Sequence, residues 1–186
     1  MIRILLALSI ATLTACSTTP TNRLDFSPVT SELKLRALVR SAMVRTVSLP
    51  TYAAAEEIAI ELAPGIIGTS ADILWADDPE RAVTLAMTQQ LDAILSATVG
   101  PDPWPFAGLP DVAIDVRVAQ MLAGSDGLFR LSGQYFIGGD GIDFPNGSFG
   151  FDIRKPLTSG EARDIAQAQA LALLELSEDI AKRLAR

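Results

Sequence analysis

Alternating apolar and polar positions in the C-terminal half predict three neighbouring β-strands. In the first of them, valine and isoleucine residues alternate with Asp115 and Arg117, which is the period of two expected for a half-buried strand. Turn residues at 124–127, and a glycine-rich stretch ending in Asn146-Gly147, separate the runs. The three predicted strands are 112–121, 128–137 and 148–153. Short turns between consecutive strands favour an antiparallel meander.

Apolar residues at steps of three and four predict two amphipathic helices. The first begins at Asp78, a capping residue, followed by Pro79 and by Glu80 near the positive end of the helix dipole. Its stripe is Val83, Met87, Leu91, Ile94 and Leu95, and Gly100-Pro101 end it. The second begins at Thr158 and Glu161, which have capping-box spacing. Its face is Ile165, Ala172, Leu173, Leu176, Ile180 and Leu184.

The N-terminal half gives weaker patterns. Residues 39–47 are rich in β-formers, which predicts a strand that ends before Pro50. Residues 52–63 fit a short helix by their Ala and Glu content, or an extended segment by their alternation, and the pattern does not decide. A Pro64-Gly65 turn then leads to a strand at 66–75. We therefore predict an α+β fold: an antiparallel sheet of about four to five strands with two amphipathic helices packed on one face, a two-layer sandwich.

The N-terminus carries a short apolar run that closes at Leu13-Thr14-Ala15-Cys16. The run is about ten residues long, whereas a helix needs ~20 to cross a bilayer, so it predicts a secretory signal peptide. The tetrapeptide resembles a bacterial lipobox. That resemblance implies cleavage after Ala15, a diacylglycerol group on the Cys16 thiol, and a fatty acyl chain such as palmitate on the new amine. The alternative is an ordinary secreted protein with an accidental cysteine.

Three segments are expected along the chain. Residues 1–15 form the lipoprotein signal peptide, 16–30 the lipidated N-terminus and tether, and 31–186 a single periplasmic α+β domain. The tether prediction rests on the small, polar and proline-containing residues that follow the cysteine. The residue after the cysteine is Ser17, whereas lipoproteins that are retained at the inner membrane have Asp at this position. By resemblance to the sorting of Gram-negative lipoproteins, this predicts an outer-membrane anchor with the domain facing the periplasm.

The charge balance narrows the choice of partners. The chain has 15 basic and 22 acidic residues and a net charge of −7, which becomes about −8 once Arg3 leaves with the signal. Nucleic-acid affinity comes largely from Lys and Arg on phosphates, so nucleic acid is excluded as a partner. Electrostatic adhesion to anionic lipid is disfavoured for the same reason. With Cys16 as the single cysteine, no intramolecular disulfide forms and the fold must rest on its core.

Candidate catalytic residues are few, because the sequence has no histidine. This excludes a Ser-His-Asp triad and histidine-ligated metals, and the lipidated cysteine excludes thiol chemistry. Asp77, Asp78 and Glu80 fit a cation site or an acid/base pair, but helix capping is the favoured interpretation. Ser31 and Lys34 have Ser-x-x-Lys spacing within a segment predicted to be tether or edge strand, and residues 138–143 lack the EF-hand register. We predict no catalytic residue, no cofactor and no metal site.

Trp104 and Phe106 are the most interesting side chains outside the predicted elements. Prolines flank both of them, and prolines exclude regular structure there. An aromatic pair on a rigid loop can dock a partner, since such residues anchor interfaces. It can equally plug the end of the core, and the buried interpretation is favoured.

The order of features resembles a known family over nearly all of the mature chain. The specific segments are Ser-Leu-Pro-Thr-Tyr at 48–52 and Trp-Ala-Asp-Asp-Pro-Glu-Arg at 75–81, and Pro-Trp-Pro-Phe at 103–106 supports them. They resemble the PqiC-like ABC-type transport auxiliary lipoproteins. The resemblance implies a non-enzymatic role beside an MCE-domain tunnel protein of an inner-membrane transporter, moving lipid and supporting membrane integrity. It also implies a homo-oligomer, and it carries over only Cys16, as the lipidation site.

Three hypotheses follow. The leading one is a non-enzymatic adaptor, attached through Cys16, that docks the tunnel protein. The runner-up is a lipoprotein that binds lipid or a small molecule in a pocket of its own. A hydrolase that uses carboxylates alone, including Asp77, is the third and is disfavoured.

Overall fold

A computed structural model describes residues 22–26, 29–139, 144 and 146–185, with the backbone alone at 70–72. Within these residues it contains eight strands and two helices. The strands are β1 (Asn22–Leu24), β2 (Ser41–Val44), β3 (Glu57–Ala63), β4 (Ile66–Trp75), β5 (Thr98–Pro101), β6 (Val112–Ala123), β7 (Leu128–Gly138) and β8 (Gly147–Pro156). The helices are α1 (Pro79–Ile94) and α2 (Ala162–Leu184). Neither helix combines the length and the apolar composition needed to cross a bilayer.

The sheet is organised around β6, its longest strand. One edge of β6 pairs antiparallel with β7, which in turn pairs antiparallel with β8. The other edge is shared by two strands that run parallel to it. β2 pairs near the start of β6, with Ala42 opposite Val112, and β3 meets its last residue, with Ile60 opposite Ala123. β5 extends the sheet from β2, and β4 and then β1 extend it from β3.

The predicted sheet of four to five antiparallel strands is therefore wrong. The sheet is mixed and has eight strands, and the pairings β1–β4, β2–β5, β2–β6 and β3–β6 are parallel. The missed strands have three or four residues, too few to show an alternation of period two. Their parallel partners lie far away in the sequence, and periodicity carries no information about pairing direction.

Several predicted strands are confirmed. The three C-terminal strands form the expected meander, and 66–75 is β4. The strand expected over 39–47 is present as the shorter β2. The undecided segment 52–63 is extended from Glu57 onward, as β3. β1 lies within the residues 16–30 that we assigned to the lipidated N-terminus and tether.

Both predicted helices are present, but two details differ. The Asp78 carboxylate accepts from the Arg81 N–H at 2.8 Å, as expected for a cap. However, α1 ends at Ile94, because residues 98–101 pair with β2 as strand β5. The capping box of α2 does not form, since the Glu161 side chain makes no capping hydrogen bond. Instead, the Asp164 carboxylate accepts from three backbone N–H groups, those of Thr158, Ser159 and Gly160.

One continuous core lies between the sheet and the helices. Alternate residues of β6 and β7 are buried in it together with the apolar faces of α1 and α2. The fully buried members with the largest side chains are Tyr135, Phe129, Ile58, Met87, Leu91, Ile94, Ile114, Leu131, Ile137, Leu173, Leu176 and Ile180. The opposite sheet face is polar and partly exposed; it includes Asp115 and Arg117. That second face is therefore open to partners.

Candidate docking site

The loop between β5 and β6 carries the aromatic pair singled out in the sequence. The rings of Trp104 and Phe106 pack edge to face, with their centroids 4.9 Å apart and an interplanar angle of 67°. They rest on Gly100 of β5: a Cβ added to this glycine would lie 3.0 Å from the Trp104 ring and 3.1 Å from the Phe106 ring. Gly100 thus permits the loop to fold back onto the strand.

The sequence offered two interpretations of the aromatic pair, a buried plug and an exposed docking element, and the two side chains differ in this respect. Trp104 is partly buried, and its indole Nε1 is enclosed with no hydrogen-bond partner among the described residues. In contrast, 49% of Phe106 and 79% of Leu109 are exposed. Exposed apolar side chains held on a buried neighbour are typical of an interaction site. Trp104 supports the loop, and Phe106 and Leu109 present an apolar surface.

An open groove of about 740 Å³ adjoins this loop. It lies on the sheet face that the helices leave open, around the first half of β6. The lining residues belong to the loop, to strands β2, β6, β7 and β8, and to the positions next to the ends of those strands: Met43, Arg45, Leu109, Pro110, Ala113, Asp115, Phe136, Ile137, Gly138, Gly139, Asn146, Gly147 and Ser148. Leu109 therefore belongs both to the exposed loop and to the wall of the groove. We call the groove and loop residues 102–111 together the docking site.

Asp115, in the wall of the groove, forms ion pairs with two arginines. The Asp115 carboxylate accepts from Arg117 Nη2 at 2.9 Å and from Arg117 Nε at 3.1 Å, and Arg45 lies 4.0 Å away. The hydrogen bonds from Arg117 are the main cause that lowers the pKa of Asp115. The Arg117 guanidinium also lies 5.1 Å from the ring centroid of Phe136, a cation–π distance. An ionised, paired carboxylate is suited to recognition rather than to proton transfer.

The acidic cluster at the start of α1 is occupied by structural contacts. Asp78 caps the helix, Asp77 accepts from the Asp78 N–H and pairs with Arg81, and Glu80 accepts from the Leu49 N–H at 3.1 Å. Within the described part of the chain, no three Asp, Glu, His or Cys side chains come together as a metal site would require. Capping thus accounts for Asp78, and the carboxylates of Asp77 and Glu80 are engaged by an ion pair and a backbone hydrogen bond.

The other candidate residues do not form a site with one another. Ser31 Oγ donates to the Glu178 carboxylate, whereas Lys34 Nζ donates to the Ala93 carbonyl oxygen. Each thus has its own partner, and no Ser–Lys dyad forms. Of the glycine-rich segment 138–143, only Gly138 and Gly139 belong to the described residues, and residues 140–143 lie outside them. Cys16, the predicted lipidation site, also lies outside them.

The pattern of the sequence pointed to the aromatic loop but missed the groove. Alternation along β6 does place residues 113, 115 and 117 on one face. However, that face becomes a groove only because β2 and β8 bring their own residues, among them Met43 and Ser148, to the same end of the sheet. The local sequence pattern does not predict that these distant strands lie side by side.

Comparison with known proteins identifies the family. The model of one family, described as the ABC-type transport auxiliary lipoprotein component, matches residues 24–181, nearly the whole described domain. The chain belongs to this family. Membership makes the protein an auxiliary lipoprotein of a transport system, and a lipoprotein is anchored to a membrane. No curated protein matches the auxiliary lipoprotein.

Two solved structures share the fold of the auxiliary lipoprotein. One, described as the crystal structure of an uncharacterized protein, has 17% identity and a TM-score of 0.68, and the match covers 81% of this chain and 98% of the other. The second, protein XCC0632 from Xanthomonas campestris, of the DUF330 family, has 12% identity and a TM-score of 0.69. This match covers 85% of the present chain and 92% of the chain of XCC0632. At these identities the likeness concerns the fold alone.

Proposed function

We propose that the protein is a periplasmic lipoprotein anchored to the outer membrane, and a non-enzymatic auxiliary component of an MCE-type ABC lipid transport system. Cys16 supplies the attachment, and the transport activity supports membrane integrity. The observation that carries the proposal is the family match over 24–181, which concerns an auxiliary transport lipoprotein. The lipobox at 13–16 supports the lipid anchor, and Ser17 in place of Asp supports the outer membrane as its location.

The docking site receives the MCE-domain tunnel protein in this proposal. An aromatic ring and an aliphatic side chain, Phe106 and Leu109, are exposed beside a groove whose lining includes the ion-paired Asp115. Aromatic anchors surrounded by satisfied polar groups are typical of protein interfaces. A homo-oligomer places several such sites around one axis and so receives the tip of the tunnel.

Co-purification from solubilised envelopes tests the partner. We expect the tagged protein to recover an MCE-domain protein in mild detergent, and a Phe106→Ser/Leu109→Ser variant to recover at least about tenfold less, the loss expected from an interface hot spot. Leu171→Ser is the matched control, because Leu171 is an exposed leucine on α2, away from the groove. Recovery of no MCE-domain protein by the wild type would overturn the proposal. If the double variant recovered as much MCE-domain protein as the wild type, the partner would bind outside the docking site.

Intact-mass analysis of native material tests the anchor separately. The expected species begins at Cys16 and carries the added mass of a diacylglyceryl group and one acyl chain. Cys16→Ser is expected to keep its N-terminal leader and to stay out of the outer-membrane fraction. A native chain that starts at Met1 without added lipid would contradict the attachment.

The groove also supports a second candidate function, binding of lipid or a small molecule by this domain itself. Its volume of about 740 Å³ lies within the usual range for ligand pockets. Native mass spectrometry of a form that starts at Ser17 separates the two. The adaptor proposal expects the bare chain mass, whereas a binding protein would retain a lipid that Met43→Trp, placed in the wall of the groove, displaces.

A further inference from the structure

The hairpin of β3 and β4 ends in an exposed apolar tip. Leu62, Ile66 and Ile67 are 63%, 59% and 40% exposed, and no residue from 62 to 69 is charged. Ile66 and Ile67 are consecutive strand residues, so they point to opposite faces, and the tip is apolar on both sides. β3 runs parallel to β6 and meets its last residue at Ile60. The hairpin tip, residues 62–67, therefore continues beyond the end of β6.

The hairpin tip is held in place by contacts at its base. Gly65 turns the chain with a φ of 77°, a left-handed conformation that glycine adopts readily. A Cβ on Gly68 would lie 2.7 Å from Leu62 Cδ1, so the Leu62 side chain lies directly over this glycine. The Glu61 carboxylate, the charge next to the tip, accepts from Arg130 Nη1 at 3.0 Å and is thereby neutralised.

The register of β1 directs the first residue of this strand, Asn22, toward the hairpin tip. β1 pairs parallel to β4, with Asn22 opposite Ile73. Ile66 precedes Ile73 by seven residues of β4, a rise of ~23 Å. The six residue steps from Cys16 to Asn22 span at most ~20–22 Å. Six extended residue steps nearly cover this rise, and the acyl chains on Cys16 reach further, so the lipid and the hairpin tip are able to enter the same bilayer.

We propose that the hairpin tip is a second membrane contact, inserted into the interfacial layer of the bilayer that holds the lipid on Cys16. This inference rests on the proposed lipidation. A bilayer fits the tip because insertion there moves apolar side chains out of water and desolvates no unpaired charge. The net charge of −7, or about −8 without Arg3, makes attraction to anionic lipid unfavourable, so the contact does not depend on anionic lipid.

Two contacts with the bilayer fix the orientation of the domain, which a single point of attachment does not do. The docking site lies around the start of β6 and the hairpin tip beyond its end, eleven residues later. This separation is about 36 Å along the strand. A domain seated on its hairpin tip therefore presents Phe106 and Leu109 away from the outer membrane, toward a partner that crosses the periplasm.

Fluorescence of the full lipidated protein in vesicles tests this contact. Cys16 is the only cysteine in the sequence, and its thiol is acylated, so Ile66→Cys adds one thiol for a nitrobenzoxadiazole label. Leu109→Cys is the matched control at the opposite end. The vesicles contain phosphatidylethanolamine, phosphatidylcholine and a spin-labelled phosphatidylcholine. We expect the lipid spin label to quench position 66 several-fold more than position 109, with no change in 1 M salt or on adding phosphatidylglycerol.

The outcomes separate this inference from the proposed function. Intact mass and co-flotation with vesicles establish the lipid anchor first. If the protein is attached but the label at position 66 is quenched no more than the label at position 109, the membrane contact is overturned while the anchor stands. If quenching at position 66 requires phosphatidylglycerol, the uncharged apolar contact is also overturned. If Cys16 carries no lipid, the proposed function fails and this inference fails with it.

Discussion

Arg130 Nη1 lies 3.0 Å from Glu61 Oε2 and joins the base of the β3–β4 hairpin to β7. The same oxygen accepts from the Ser125 N–H and hydroxyl, and Glu61 Oε1 accepts from the Gly65 N–H. These donors, led by the Ser125 backbone, lower the pKa of Glu61 to about 2. One carboxylate therefore fastens the hairpin to the turn before β7 and to β7 itself.

Glu61→Gln is expected to lower the melting temperature at pH 7. In the unfolded chain a glutamate titrates at ~4.3, so the depressed pKa of Glu61 stabilises the fold fully above that pH. The stabilisation is lost as the pH falls toward 2. The difference in melting temperature between wild type and variant should shrink over this interval in a series of thermal unfolding measurements. Glu32→Gln, at an exposed glutamate, is the control, and a difference that stays constant with pH would contradict the role of Glu61.

Gly133→Ala is expected to destabilise the meander, because an added Cβ would lie 2.2 Å from the Arg117 carbonyl oxygen. Gly133 faces the register shift between Val118 and Gln120 of β6, and the backbone must move to admit a methyl group. Overpacking of this kind costs ~1–3 kcal/mol, measurable by urea unfolding. Gly150→Ala is the matched control in the neighbouring strand, since its nearest atom would be 3.9 Å away. Equal losses from both variants would refute the steric argument.

Leu176→Ala is expected to cost ~2–5 kcal/mol, since removing a buried leucine leaves a cavity. Leu176 is fully buried on α2, within the core shared with the sheet. Leu171→Ala on the same helix provides the comparison, because this residue is 37% exposed and its removal leaves no enclosed space. Guanidinium unfolding of both variants measures the free energies. A cost at position 171 as large as that at 176 would show that the helix faces are assigned wrongly.

Ser177→Ala is expected to cost ~1–3 kcal/mol, because it leaves the buried Gln90 Oε1 without its donor. Ser177 Oγ donates to that oxygen at 2.8 Å and joins α2 to α1. Gln90 Nε2 also donates to the Val29 carbonyl oxygen at 3.1 Å. In a double-mutant cycle measured by urea unfolding, Ser177→Ala combined with Gln90→Leu should cost less than the two separate losses together. Simple additivity would argue against a coupled pair.

Local pattern was sufficient for the elements whose contacts are local. The meander of β6, β7 and β8 follows from alternation and short turns, since neighbours in sequence are neighbours in the sheet. The start of α1 follows from Asp78 and Pro79, which act within one helical turn. The capping of α2 was predicted wrongly because Asp164, inside the helix, accepts from the N–H groups of Thr158, Ser159 and Gly160.

The sequence by itself determined the two helices, the three C-terminal strands and the position of the aromatic loop. Each of these depends on residues within about one element of one another. Only the tertiary structure decided that β2 and β3 share one edge of β6 and that β1 lies along β4. Those pairings join residues far apart in the chain, and burial of one common core selects them. The same pairings place the docking site and the hairpin tip at opposite ends of β6, which the periodicity of the sequence does not predict.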